Sequence, residues 1–146
     1  MKLTLFTDYS MRVLLYLAAR PDRLSSIAEV AQAYNISQNH LMKVVNDLAR
    51  TGYIETLRGR GGGIRLGRNP ADINLGELVR HTEGGFDLVD CGSCIVAPAC
   101  RLTGVLKEAL GAFLSVLDRY SLAELATDPS QIEGLFYALG NDNMPT

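Results

Sequence analysis

The segment Ser37-Gln-Asn-His-Leu-Met-Lys-Val-Val-Asn-Asp-Leu48 decides the fold of this 146-residue chain. Its apolar positions recur at the spacing of one helix face, and serine is a favoured cap for the first turn of a helix. Upstream, Ser26-Ile-Ala-Glu29 has the spacing of a capping box, which predicts a short helix ending near Ala33. Asn35 favours a tight turn between the two helices. The segment therefore predicts a helix-turn-helix.

A glycine-rich hairpin is predicted directly after these helices. Tyr53-Ile-Glu-Thr-Leu57 and Ile64-Arg-Leu66 flank the tip Arg58-Gly-Arg-Gly-Gly-Gly63. Glycine permits a close approach to a groove, while Arg58, Arg60 and Arg65 can pair with phosphates or enter a minor groove. A loop that cradles a nucleotide phosphate is the alternative, but the P-loop pattern is missing. The hairpin indicates the wing of a winged helix-turn-helix.

The third helix of such a fold enters the major groove, and its N-terminal residues meet the base edges. The candidate DNA-binding residues are Ser37, Gln38, Asn39, His40 and Lys43. Glutamine and asparagine can read adenine, whereas Lys43 suits a phosphate or a guanine. The alternative for each residue is a solvated helix face.

Charge divides the chain into two unlike halves. Residues 1–70 carry ten Lys/Arg and five Asp/Glu, a net charge of +5, while residues 71–146 carry four and eleven, a net charge of −7. A basic half indicates a polyanionic partner such as double-stranded DNA. No signal-peptide pattern is visible and the apolar run 13–19 is too short to span a bilayer, so we expect a cytoplasmic protein without a membrane partner. No catalytic constellation or cofactor fingerprint is visible, so we expect no enzyme.

Periodicity predicts the remaining helices. We expect the first helix to run from Asp8 to Pro21, and a short fourth helix over 73–81 that stops at Gly84-Gly85, with His81 exposed or capping. Pro98 should open a long helix of about twenty residues with an apolar stripe from Leu102 to Tyr120. That stripe predicts a homodimer, the alternative being a helix folded back over its own domain.

The C-terminal end is predicted to support that long helix. Capping-box spacings at Ser121–Glu124 and Ser130–Glu133 predict two short bracing helices, and Asn141 to Thr146 should form a loose tail. The fold class is therefore mainly α with a small β-hairpin wing, plus a long C-terminal dimerisation helix. We divide the chain into a DNA-binding domain (1–70), a short helix with a cysteine sensor loop (71–98) and a dimerisation part (99–146).

All three cysteines lie in Cys91-Gly-Ser-Cys94-Ile-Val-Ala-Pro-Ala-Cys100. An odd number of clustered cysteines in a reducing compartment favours metal binding or redox chemistry. Three thiolates are an incomplete set for zinc or for an iron–sulfur cluster, so a fourth ligand must come from elsewhere. Cys100 is expected in the first turn of the long helix, where backbone N–H groups favour a thiolate.

Five segments together resemble a known family. They are Leu5-Phe-Thr-Asp8-Tyr, Ser37-Gln-Asn-His-Leu-Met-Lys-Val44, Arg58-Gly-Arg-Gly-Gly-Gly-Ile-Arg-Leu66, Ala97-Pro-Ala-Cys-Arg-Leu102 and Asp118-Arg-Tyr-Ser-Leu-Ala-Glu-Leu125. The chain is similar to the NsrR type of iron–sulfur transcription regulator, which is related to the IscR and RirA regulators. The resemblance implies a homodimer with a [4Fe-4S] cluster that represses palindromic operators and releases DNA when nitric oxide nitrosylates the cluster.

The resemblance also implies a ligand set. In members of this type the fourth ligand can be an aspartate of the partner subunit at the start of the first helix, and Asp8 matches that position beside Cys91, Cys94 and Cys100. A helix N-cap is the alternative role for Asp8. IscR-like proteins use a histidine three residues after the last cysteine, where this chain has Thr103.

Other functions stay open at this stage. The gap between Cys91 and Cys94 is shorter than is usual in the family, which leaves [2Fe-2S] as an alternative cluster. An iron-responsive or thiol-redox regulator of the same architecture is the closest competing function. A small iron–sulfur electron carrier needs neither a recognition helix nor an arginine wing.

Overall fold

The computed structural model describes residues 1–142 and confirms a mainly helical fold with one small sheet. Its elements are α1 (Leu5–Ala18), α2 (Ile27–Tyr34), α3 (Gln38–Arg50), β1 (Ile54–Leu57), β2 (Gly63–Leu66), a 3₁₀ turn (Pro70–Asp72), α4 (Leu75–Glu83), α5 (Leu102–Leu117), α6 (Leu122–Leu125) and α7 (Pro129–Asp142). Asn141 and Asp142 belong to α7, so the prediction of a loose tail is wrong for these two residues. Residues 143–146 lie outside the described part of the chain.

Helix α1 begins three residues earlier than the sequence predicts. Thr4 is the N-cap, because its side chain accepts a hydrogen bond from the backbone N–H of Thr7. Asp8 therefore lies in the first turn of α1 and is not its cap. The prediction failed because threonine and aspartate are both good caps, and Thr4, Thr7 and Asp8 stand close together.

The helix-turn-helix is built as predicted. Ser26 and Glu29 form a complete capping box at the start of α2, and Asn35 ends α2 in the left-handed conformation, with φ 54°. Ser37 caps α3. Four side chains of α3 are buried against α1 and α2, and they are Leu41, Val44, Val45 and Leu48. Burial of each contributes about 1.5–3 kcal/mol, which fixes which face of α3 is left for solvent.

The wing is a two-stranded antiparallel hairpin. Its register runs from Ile54 opposite Leu66 to Leu57 opposite Gly63. The outer edge of β2 is also occupied, because Ser25 and Ile64 exchange two backbone hydrogen bonds of 2.9 and 2.7 Å. Strand β2 is thus paired on both sides at Ile64, close to the tip.

The C-terminal half starts with α4, which ends at Gly84 with φ 68°. Helix α5 is sixteen residues long instead of about twenty. Pro98 does not open it, because residues 94–100 form consecutive turns and the helix begins after Arg101 without a side-chain cap. No residue of α5 is buried, so the apolar stripe is not folded back over its own domain. This outcome contradicts the fold-back alternative.

The two terminal helices pack mainly on the N-terminal half, so the prediction that they brace the long helix is wrong, and α7, with fourteen residues, is not short. The capping box of Ser121 and Glu124 is confirmed at α6. At α7 the expected box is wrong, because Asp128 accepts hydrogen bonds from Ser130 Oγ and the Gln131 N–H. Helix α6 contacts α1 and the 3₁₀ turn, and α7 contacts α2. The divisions at 70/71 and 98/99 stay predictions.

Aromatic stacking explains where α7 lies. The ring of Phe136 is 4.8 Å from the ring of Tyr16 and 5.3 Å from that of Tyr34, measured between centroids. The guanidinium of Arg20 lies over the Tyr16 ring at 4.2 Å. Aromatic and cation–π contacts of this kind each contribute about 0.5–1.5 kcal/mol. These contacts attach α7 to α1 and α2.

Across residues 1–142, no helix combines the length and the apolar character needed to cross a bilayer.

Candidate functional site

The solvent-exposed face of α3 carries most of the predicted DNA-binding residues. Ser37, Gln38, Asn39 and Lys43 are all exposed, on the side opposite the buried leucines and valines. Met42, Asn46 and Arg50 extend this exposed face toward the end of α3. Sequence reasoning missed these three, although they repeat at three- and four-residue spacing from Asn39. A helix spacing continued past the first turn would have found them.

His40 is placed differently from its neighbours. Its ring is half-buried and meets the edge of the Tyr9 ring on α1, with centroids 4.9 Å apart. The structure therefore does not bring the His40 ring together with the exposed polar side chains of α3. A base contact by His40 stays a prediction.

The wing presents two kinds of arginine. Arg58 and Arg60 are exposed at the tip. Arg65 Nε instead donates to Glu55 Oε2 on the opposite strand at 3.0 Å, with both side chains half-exposed. Of the three wing arginines, Arg58 and Arg60 thus form no ion pair within residues 1–142.

A fourth arginine, Arg68, is structural. Its Nη2 donates to the carbonyl of Thr51, and its guanidinium lies 4.3 Å from the Tyr53 ring centroid. An open cleft runs between α3 and the hairpin, and Asn46, Arg50, Glu55 and Arg58 line it. The cleft is therefore cationic apart from Glu55.

The cysteine loop lies against the first turn of α5. Cys91 Sγ is 3.3 Å from Thr103 Oγ1, and Cys100 Sγ accepts from the Leu102 N–H at 3.4 Å. Cys100 directly precedes the N-cap Arg101, so it lies just outside the first turn in which it was expected. Cys94 is exposed and makes a backbone turn with Cys91. Two of the three thiols are thus brought to one helix end.

The donors in this loop fit an iron–sulfur cluster. All three cysteines are free and at least partly exposed. Thiolates are the usual ligands of such clusters, and unpaired N–H groups at a helix N-terminus stabilise an anionic sulfur. Within residues 1–142, no three His, Cys, Asp or Glu side chains already form a group that could hold a metal ion. Binding would therefore require the loop to close.

Asp8 is held by its own helix. Arg12 donates to both carboxylate oxygens of Asp8, from Nε at 2.8 Å and from Nη2 at 3.2 Å. This hydrogen bonding raises the pKa of the Arg12 guanidinium. Within the described chain, no hydrogen bond or ion pair joins Asp8 to a cysteine. Both side chains of the pair are about two-fifths exposed, so releasing Asp8 would cost only about 0–1 kcal/mol.

Comparison with known proteins places this arrangement in a family. The family model Rrf2, described as an iron-dependent transcriptional regulator, matches residues 3–128. The HTH-type transcriptional regulator NsrR of Bacillus subtilis (strain 168) is 54% identical, with 90% of this chain and 94% of that protein covered.

Solved structures agree on the fold. A Listeria innocua protein described as a transcriptional regulator matches with a TM-score of 0.73 at 28% identity, covering 87% of each chain. IscR of T. potens matches with a TM-score of 0.73 at 22% identity, covering 90% of each chain, and supports the fold alone. The family match and the curated relative extend over most of this winged helix-turn-helix and its cysteine loop. The chain therefore belongs to the Rrf2 family of transcriptional regulators and is of the NsrR type within it.

Proposed function

We propose that this regulator is a homodimeric repressor that binds a palindromic operator and releases it when nitric oxide reacts with an iron–sulfur cluster. The observation that carries the proposal is the pairing of two surfaces in one chain. One is the exposed polar face of α3 beside the arginine wing, and the other is the set of free thiols at the start of α5.

DNA binding is supported by the order of side chains along α3. Gln38 and Asn39 stand at the N-terminal end, where amides can reach base edges, and Lys43 follows one turn later. Arg58 and Arg60 add unpaired cations on the wing. The cations would contact phosphates and fix the register on the duplex, and the amides would contact bases and give the specificity.

Dimer formation is supported by α5. Its leucine, valine and phenylalanine side chains include several that are large and exposed, such as Val105, Phe113 and Val116. Helix α5 has sixteen residues, and none of its apolar side chains is buried within the chain. Such a surface is normally removed from water by a partner, and a second copy of this chain supplies an identical apolar stripe. A two-fold dimer would also place two copies of α3 on the two halves of a palindrome.

Cluster binding is proposed through Cys91, Cys94, Cys100 and the partner's copy of Asp8. When bound, a cluster would supply iron that is open to small reactive molecules such as nitric oxide. Arg12 positions the Asp8 carboxylate on α1, and the Leu102 N–H at the start of α5 donates to the sulfur of Cys100. The resemblance to NsrR-type regulators favours a [4Fe-4S] cluster. The short interval between Cys91 and Cys94 leaves [2Fe-2S] as the alternative.

The operator experiment comes first. A random-sequence duplex pool is selected with the anaerobically reconstituted protein, and the affinity of the selected duplex is measured against salt. We expect a palindrome bound by two chains, with an affinity that falls steeply between 50 and 200 mM salt. Enrichment of no sequence over background would contradict operator recognition. Asn39→Ala should relax specificity, while Ser93→Ala in the cysteine loop is the control that should leave it unchanged.

The cluster experiment uses native mass spectrometry and absorbance before and after nitric oxide. We expect a dimer that carries iron and sulfide, a change of spectrum with nitric oxide, and loss of the selected duplex. Asp8→Ala should weaken cluster retention, and Asp22→Ala, which removes an exposed carboxylate in the turn after α1, is the matched control. Zinc-only protein, or a reversible disulfide, would contradict the nitric oxide mechanism. Release on iron depletion without a response to nitric oxide would favour the iron-responsive alternative.

A further inference from the structure

The last turn of α4 contacts three other helices through four consecutive residues. Successive helix residues are rotated by 100°, so four in a row point to all sides of the axis. The pairs are Arg80 with Asp118 at the end of α5, His81 with Asp47 on α3, Thr82 with Thr7 on α1, and Glu83 with the backbone N–H of Thr4 at the cap of α1. Helix α4 is thus connected to each of its neighbours at the end from which the cysteine loop leaves.

Two of these contacts fix α4 in place. Thr82 and Thr7 share a buried hydrogen bond of 2.8 Å, and the Thr82 hydroxyl also donates to the carbonyl of Leu78. Arg80 donates to both oxygens of Asp118, which lowers the pKa of that carboxyl. These contacts hold α4 against α1 and α5, and neither reaches α3.

The contact with α3 is made by His81. Its Nε2 lies 2.7 Å from Asp47 Oδ2, and its ring lies beside the Tyr53 ring with centroids 6.3 Å apart. The second oxygen of Asp47 accepts from Arg50 Nη2 at 2.8 Å, so both carboxylate oxygens are engaged. Among the side-chain hydrogen bonds of residues 1–142, the His81–Asp47 pair is the one that joins α4 to α3.

Asp47 is well placed to set the position of the solvent-exposed face of α3. Its side chain is only 17% exposed, and it lies next to the exposed Asn46 and one turn after Lys43. A shift of Asp47 therefore moves the backbone that carries those two side chains. On the other side, His81 is three residues from Gly84, the left-handed residue that ends α4 and begins the path to Cys91.

We propose that His81 and Asp47 are positioning residues that transmit the state of the cysteine loop to α3. The inference rests on the proposed function, since it assumes operator binding that depends on the loaded state of the loop. When the loop closes, α4 and its His81 ring are held in one position, and the pair holds α3 at the spacing that the operator requires. When the loop opens, the His81 ring is no longer held against Asp47, and the restraint on α3 is lost while the contacts of α4 with α1 and α5 remain.

The test compares two dissociation constants for the selected duplex. One is measured with metal-free protein and the other with protein reconstituted anaerobically with Fe²⁺ and sulfide. The ratio is the metal-free constant divided by the reconstituted one. His81→Phe keeps an aromatic ring beside Tyr53 but removes the hydrogen bond to Asp47. Asp47→Ala removes the other partner, and His81→Gln retains a side-chain donor. Thr82→Val is the control, because it breaks the hydrogen bond to Thr7 on α1 and leaves the contact with α3.

We expect the ratio to fall at least fivefold in His81→Phe and in Asp47→Ala, the lower end of typical couplings between two sites. The double variant should fall no further than either single variant, because the two residues act as one pair. His81→Gln should recover most of the wild-type ratio, and Thr82→Val should retain it. A wild-type ratio in folded His81→Phe protein would overturn the inference alone. A wild-type protein with no difference between its two states would overturn the proposed function as well.

Hydrogen exchange on the wild-type protein gives a second readout that needs no variant. Amides at the end of α4 and in the second half of α3 should become less protected together when the metal is removed, while those of α2 keep their protection. Unchanged exchange in α3 would overturn the inference even if a variant fails to fold.

Discussion

Replacement of Glu55 by glutamine should strengthen DNA binding and make it more sensitive to salt. Glu55 holds Arg65 across the hairpin with a single Nε–Oε2 hydrogen bond of 3.0 Å, and both side chains are half-exposed. Glutamine keeps the shape and can still accept a hydrogen bond, but it removes the charge. Arg65 is then available for a phosphate.

The magnitude follows from counterion release. Each phosphate neutralised on a DNA duplex adds about −0.9 to the slope of log affinity against log salt. Between 50 and 200 mM salt, one further contact therefore adds a factor of about 3.5 to the loss of affinity, or about 12 for two protomers. Folding stability should change by less than about 1 kcal/mol, because exposed ion pairs contribute little.

Fluorescence anisotropy of the selected duplex over that salt range measures both effects. Arg65→Gln added to Glu55→Gln should return the slope to that of the wild type, because the freed guanidinium is then absent. Glu77→Gln on α4 is the control, since it removes an equal exposed charge outside the hairpin. A Glu55→Gln slope equal to that of the wild type would refute the argument and place Arg65 outside the DNA interface.

Three further perturbations test the fold. Leu48→Ala, at a fully buried position of α3, should lower the free energy of unfolding by about 2–5 kcal/mol in urea titrations, whereas Met42→Ala on the exposed face should change it by about 0.5 kcal/mol; equal losses would refute the assignment of faces. Burial raises the pKa of Tyr34 to about 12 from its usual 10, so unfolded chains lose this proton first and stability should fall by up to about 1.4 kcal/mol per pH unit between those values. The Tyr34→Phe variant should lack this part of the decline, and parallel alkaline curves for the two proteins would count against it. Gly62→Ala would place Cβ only 2.2 Å from the Leu57 carbonyl oxygen, so the wing tip must open and the salt slope should shrink, while Gly104→Ala, with nothing within 4 Å, should bind DNA as the wild type does.

The sequence predicts the helix-turn-helix and its wing well because local signals decide them. Ser26 with Glu29, Asn35 and Ser37 act on backbone groups within four residues, so a single chain segment contains all the information. The register of the hairpin likewise follows from the glycine-rich tip between two β-rich segments. The apolar face of α3 is buried as its spacing predicts.

Contacts between distant segments could not be predicted in the same way. Spacing along α3 cannot distinguish His40 from its exposed neighbours, because the ring is turned toward Tyr9, a residue 31 positions away along the chain. The pairing of His81 with Asp47 joins residues 34 positions apart, and that of Arg65 with Glu55 depends on strand register. The position of α7 follows from aromatic rings of α1 and α2 that no pattern in α7 reveals.

The double hydrogen bond between Ser25 and Ile64 also bears on how the protein avoids self-association through its strands. A free strand edge is a template on which another chain can add a strand, and a lone two-stranded hairpin is only marginally stable. Ser25 occupies the outer edge of β2 at Ile64, so at that point the wing offers no unpaired backbone groups to a neighbour. The segment before α2 thus covers the edge of β2 at this position. The two covering hydrogen bonds lie outside the tip, residues 58–62, so this edge does not depend on the tip sequence for its protection.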